Sequence, residues 1–136
     1  LARKTKREDK DEREDMEKQD AIQQAIDRLF TAIPQLDGVL LASTDGLPIA
    51  HSFSTGGDPN RVAAMAAAAL GLGKRIGETF NSGMLTELSV RGTEGQMFLY
   101  AAGSKGVLAL TVPVSANIGM IHIAARHAAR RIAEVL

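Results

Sequence analysis

The segment Gly71-Leu72-Gly73-Lys74-Arg75-Ile76-Gly77 sets glycines beside a lysine, the raw material of a phosphate-binding loop. Such a loop aims backbone N–H groups and an ammonium at phosphate oxygens. The spacing fails that chemistry. The Walker pattern needs a glycine where Ala68 stands, and a serine or threonine where Arg75 stands. The dinucleotide pattern needs its third glycine at Ile76. The segment also falls inside a predicted helix, where N–H groups are already used. Gly73 and Gly77 are therefore read as close-packing positions, and no cofactor is expected.

Other reactive groups are equally sparse. The histidines are His51, His122 and His127. His122 and His127 stand five apart, so they project from different sides of a helix, whereas helical metal sites use i and i+3 or i+4. No carboxylate is placed to complete a ligand set, so no metal is expected. The chain has no cysteine, which excludes disulfides, thiolate zinc sites and a cysteine nucleophile. No elbow motif presents a serine nucleophile. Asp45 sits in a turn, where its side chain serves the backbone. Arg126, Arg130 and Arg131 read as a solvated face suited to a helix C-terminus. No catalytic residue is assigned, and the chain is not expected to be an enzyme.

The elements that would position any site follow from periodicity. Ile22, Ile26, Leu29, Phe30 and Ile33 form one apolar helical stripe, stopped by Pro34. Residues 38–43 and 47–51 are of strand length and flank the turn signal Thr44-Asp45-Gly46. A polar loop is expected over 52–60, with Asp58 capping a long helix at about 59–81 and Pro59 in its first turn. Strands follow at 84–91, 96–102 and 107–112, separated by glycine-bearing turns. A last helix from about Ala116 turns Ile118, Ile121, Ala125, Ala128, Ile132 and Val135 inward. The order is α-β-β-α-β-β-β-α. It predicts an α/β fold of the α+β type: a five-stranded antiparallel sheet, strand order 2-1-5-4-3, between one middle helix and two terminal helices, a profilin-like sandwich. Hairpins link strands 1-2 and 3-4-5, and the contact of strands 1 and 5 is an added inference.

The chain divides into two unequal parts. Fourteen of residues 1–18 are charged, seven of each sign. With almost no apolar residue this segment has no face to bury, and it is read as a charged N-terminal extension, a frayed helix or disordered. Four cations near its start, without aromatics, make a weak nucleic-acid footprint. The body, 19–136, is long enough for one core. Net charge is zero, which gives no general pull toward nucleic acid or anionic membrane. No apolar run is long enough to span a bilayer and no secretory signal is visible. No membrane insertion, no nucleic-acid partner and a cytoplasmic setting are expected.

The middle helix is the feature that points outward. On a helical projection Val62, Met65, Ala66, Ala69, Gly73, Ile76 and Phe80 share one side, the natural face for the sheet. Ala63, Ala64, Ala67, Ala68 and Gly71 fall on the other side, and no charge occurs from Val62 through Gly73. A helix apolar all round is normally buried all round. One face of so small a sheet has only this helix over it, so its back would meet another protein, most economically a second copy. Strand 3 is expected at the sheet edge, which pairs with other chains unless guarded. Glu87 and Arg91 would pair oppositely across a two-fold centred near Ser89. The predicted dimer interface is Ala67, Gly71, Glu87, Ser89 and Arg91.

Several stretches are similar to one known family. The run from Gly38 through Asp45, Gly46 and Leu47 to Ala50 resembles the first hairpin of the roadblock family, named after dynein light chains. The alanine-rich second helix and Asn117-Ile118-Gly119-Met120-Ile121 leading to Arg126, Arg130 and Arg131 are also similar to it. The resemblance covers about residues 20–136, and single-domain prokaryotic members look like MglB-type small-GTPase regulators. It implies homodimers, or heterodimers with a paralogue, built through the third strand and second helix. It implies a platform for a small Ras-like GTPase, whose hydrolysis a dimer would accelerate without an arginine finger. Carried onto this chain, the partner-binding residues are Arg61, Ala64, Met65, Ala68, Leu72, Arg75 and Thr79. A non-GTPase structural adaptor and a small-ligand sensor are the alternative functions.

Overall fold

The computed structural model describes residues 2–53 and 57–136. The first helix, α1 (Lys6–Ala32), opens on a reciprocal cap. The Thr5 hydroxyl accepts from the Glu8 N–H at 3.1 Å, and the Glu8 carboxylate accepts from the Thr5 N–H at 3.3 Å. That device satisfies two donors that a helix start leaves without partners. Every residue from Lys6 to Asp20 is exposed, and burial begins at Ile22. The other elements are β1 (Gly38–Ser43), β2 (Pro48–Phe53), α2 (Pro59–Thr79), β3 (Glu87–Arg91), β4 (Gly95–Ala102), β5 (Gly106–Pro113) and α3 (Ile118–Val135). Part of the loop expected over 52–60 lies outside the described residues, and β2 reaches Phe53 rather than ending at His51. The third strand starts at Glu87, not Met84.

The sheet runs β2-β1-β5-β4-β3, antiparallel throughout, as the pattern of elements predicts. β1 and β5 are neighbours, with Leu41 opposite Leu108 and Leu40 opposite Ala109. Alternation along the strands sends these pairs to opposite faces. Leu41, Leu108 and Leu110 join Ile26 and Leu29 of α1 and Ile121 and Ile132 of α3 in the larger core. Leu40, Leu99 and Val107 face α2 in the smaller one. Ile118 opens α3 but is 37% exposed, so the inward stripe begins at Ile121 instead. Asn117 caps that helix, its side chain accepting from the Met120 N–H at 3.2 Å.

The β1–β2 turn is fitted to α2. Gly46 has φ of +88°, and a Cβ there would lie 3.3 Å from the Ala64 Cα and 3.8 Å from the Ala67 Cβ. Both the left-handed backbone and the close approach require glycine. Gly46→Ala is expected to cost about 2 kcal/mol, read as a lower urea midpoint at unchanged m. A loss under about 0.5 kcal/mol would show that the turn and helix are not in tight register.

Candidate protein-interaction site

Asp58 starts α2, its carboxylate accepting from the Asn60 N–H at 3.0 Å, with Pro59 in the first turn. The side that meets the sheet consists of Ala63, Ala66, Leu70, Gly73 and Gly77. Four of these five carry no more than a methyl group, so the helix axis can sit close to the strands. A Cβ at Gly73 would lie 2.7 Å from Leu85. The expected inward face is therefore corrected. Met65, Ile76 and Phe80 point away from the sheet, at 54%, 50% and 77% exposure, while Ala63 is fully buried rather than on the open back.

The residues assigned to partner binding come together on this outward side. Arg61, Ala64, Met65, Ala68, Leu72, Arg75 and Thr79 are all exposed. Thr79 donates its hydroxyl to the Arg75 carbonyl at 2.9 Å and so stays close to its own helix. Sequence reasoning missed the bulk of the apolar surface. Leu72 is joined by Ile76 and Phe80, and Met84 beyond the helix is 93% exposed. Val90 is 55% exposed and lies opposite Met97, which packs with the α2-side core, so it belongs to the same face. Scattered exposed apolar residues are ordinary, but a group of large ones on one helix marks a contact surface.

The expected dimer residues are placed as follows. Ala67 is half-buried beneath the Gly46 turn of its own chain, and Gly71 is exposed with open space around it. Glu87, Ser89 and Arg91 share the α1/α3 face of β3, the last strand of the sheet, whose outer edge has no partner strand among the described residues. Glu87 already has a use. Both its oxygens accept from Arg126 of α3, at 3.0 Å from Nε and 2.8 Å from Nη2. A Glu87–Arg91 contact with a second copy would have to compete with that bidentate pair.

A small polar cluster lies behind the pair. The Tyr100 hydroxyl and His122 Nδ1 are 2.7 Å apart, and the imidazole meets the Phe98 ring edge-on at 5.3 Å. Burial holds the Tyr100 phenol well above its usual range, so it remains neutral. The hydrogen bond from Arg126 holds the Glu87 carboxyl below the usual carboxylate range, against a smaller opposing effect of burial. A depressed folded-state value means that the pair's stabilisation is present above the unfolded carboxylate value and is lost as pH falls through the folded one. Glu87→Gln should therefore lower Tm at pH 7, and the gap to wild type should close in acid. A gap independent of pH would assign it to packing instead.

His51 and His127 are exposed, the former resting against Phe53 with ring centres 5.5 Å apart. Among the described residues no group of three or more histidine, aspartate or glutamate side chains could hold a metal ion, and no helix is long and apolar enough to cross a membrane. Five cavities among the described residues are open seams of about 90 to 370 Å³.

Two terminal helices, an antiparallel sheet in the order β2-β1-β5-β4-β3 and one covering helix with an apolar outer side define the class, an α/β/α sandwich domain. The chain belongs to the Roadblock/LC7 domain family, whose model matches residues 22–112. An uncharacterized protein of Methanocaldococcus jannaschii is 30% identical over 110 residues, spanning 79% of this chain and 96% of that protein. Among solved structures the fold matches the gliding protein MglB from Thermus thermophilus, with a TM-score of 0.80 at 14% identity over 87% of this chain and 90% of that one. It also matches a Roadblock/LC7 domain from Streptomyces avermitilis, with a TM-score of 0.73 at 21% identity over 78% and 89%.

Proposed function

We propose that this chain is a cytoplasmic, dimeric regulator that binds a small Ras-like GTPase and accelerates its GTP hydrolysis. The observation that carries the reading is the outward side of α2, where Met65, Leu72, Ile76 and Phe80 stay exposed on a Roadblock/LC7 fold. In the dimer β3 meets β3 of a second copy, continuing the sheet, and the two α2 helices lie side by side. Small residues at Ala64, Ala68 and Gly71 allow close approach, while the large apolar ones supply contact area. As the resemblance to the family implies, activation in this reading works by reshaping the partner's own site. Family membership and the MglB-like fold support this assignment.

The test is single-turnover GTP hydrolysis by a Ras-like GTPase of the same organism, with and without this chain. The reading expects a rate increase that saturates as the chain is added. Binding without any rate change would make it an adaptor, and neither effect with any such GTPase of that organism would sink the proposal.

A further inference from the structure

The first helix carries a charge arrangement that the function above does not use. At roughly 100° per residue, Glu8, Asp9, Asp11, Glu12, Asp15 and Asp20 fall within one half of the helix circumference, with Met16 among them. All five cations between Lys6 and Asp20 fall on the other half, together with Glu14 and Glu17. The stretch is exposed throughout, and Met16, its one large apolar side chain, is 64% exposed. Lys4, preceding the helix, reaches back to Glu12. The reciprocal Thr5 and Glu8 cap keeps this arm helical to its start.

A complementary groove runs between α1 and α3 on the back of the molecule. Its floor includes Ala25, Ala32, Ala124 and Ala128, small residues that leave an apolar depression of about 100 Å³. Its rim carries Arg28, His127 and Arg131, and no carboxylate lines it. An apolar hole rimmed by the guanidinium groups of Arg28 and Arg131 matches an apolar knob flanked by carboxylates. A flexible thioether is well suited to such a hole.

We propose that the acidic face of residues 8–20, with Met16 as its anchor, docks into the α1–α3 groove of a second copy. On the helical projection Met16 lies on roughly the opposite side of α1 from Ala25, Arg28 and Ala32. A contact joining two such different faces is heterologous. It leaves one arm and one groove open at the ends, so assembly continues into chains or closes into rings. This contact uses neither α2 nor β3 and stands apart from the GTPase proposal.

The test is the mass of the full-length chain by sedimentation across a concentration series, at about 0.05 M and about 0.5 M salt, where the screening length shortens from roughly 14 Å to roughly 4 Å. Low salt should give species that grow with concentration, and high salt should weaken their association at least about tenfold. Two charge-reversed variants decide the contact. Glu12→Lys with Asp20→Lys alters the arm, and Arg28→Glu with Arg131→Glu alters the groove. Each alone should stop growth beyond the dimer, and mixing them should restore it, because each then offers the other a matching partner. The mixing result also shows that both variants are folded. A mass that never grows beyond a dimer at low salt, growth beyond the dimer that persists in either variant, or no restoration on mixing would overturn the proposal.

Discussion

Leu72→Asp combined with Ile76→Asp will weaken association with the GTPase partner at least about a hundredfold, which is about 2.7 kcal/mol, while leaving the fold intact. Both side chains are at least half exposed on the outer side of α2, at 60% and 50%. A charge there meets water in the isolated chain and costs within about 0.5 kcal/mol of stability. In a complex the same carboxylates would be buried against an apolar surface without a counter-ion, which is strongly unfavourable. A melting temperature lowered by at most about 4 °C with lost binding is thus the expected pair of results. Unchanged binding would move the interface away from α2.

Leu70→Ala will destabilise the chain by about 3 kcal/mol, lowering Tm by roughly 10 °C. The reason lies in the uneven composition of the two cores. Between the sheet and the terminal helices there are many large side chains, including Ile26, Leu29, Ile121 and Ile132. Beneath α2 the helix itself contributes Ala63, Ala66 and only one large fully buried side chain, Leu70, which is 1% exposed. Its truncation leaves a cavity that rigid alanine and glycine neighbours cannot fill. Binding should suffer with stability, because α2 then loses its main anchor to the sheet. Chemical denaturation measures the cost, and a loss below about 1 kcal/mol would mean that α2 is held mainly by its cap and the Gly46 turn.

The fold was legible because each element carries its own punctuation. Pro34 ends the first stripe, Asp45-Gly46 turns the first hairpin and Asp58-Pro59 opens α2, and these residues occupy those places in the structure. The contact of β1 with β5 is an added inference, because hairpins fix only neighbouring strands, and the structure has it. The rotation of α2 was not legible. Periodicity weights large apolar side chains, so Met65, Ile76 and Phe80 pulled the expected inward face toward themselves. The helix instead seats its smallest residues, Ala63, Ala66, Gly73 and Gly77, which gain by close approach, and leaves large apolar ones outside. Hydrophobicity ranks a residue by what it gains from burial and does not say whether its own chain or another one buries it. The hold of Arg126 on Glu87 was hidden for a different reason. It joins residues 39 positions apart and depends on how α3 lies across β4 and β3. The arginines of α3, read only as a solvated face, therefore include one that ties the sheet edge to the last helix.

The most direct test of the central claim is the mass of a mixture of this chain with a GTP-loaded Ras-like GTPase from its own organism, determined by sedimentation equilibrium. A complex containing two copies of this chain with the GTPase is expected, absent when Leu72→Asp and Ile76→Asp are introduced. A chain that sediments as a monomer and never co-sediments with a GTPase at any ratio would contradict it.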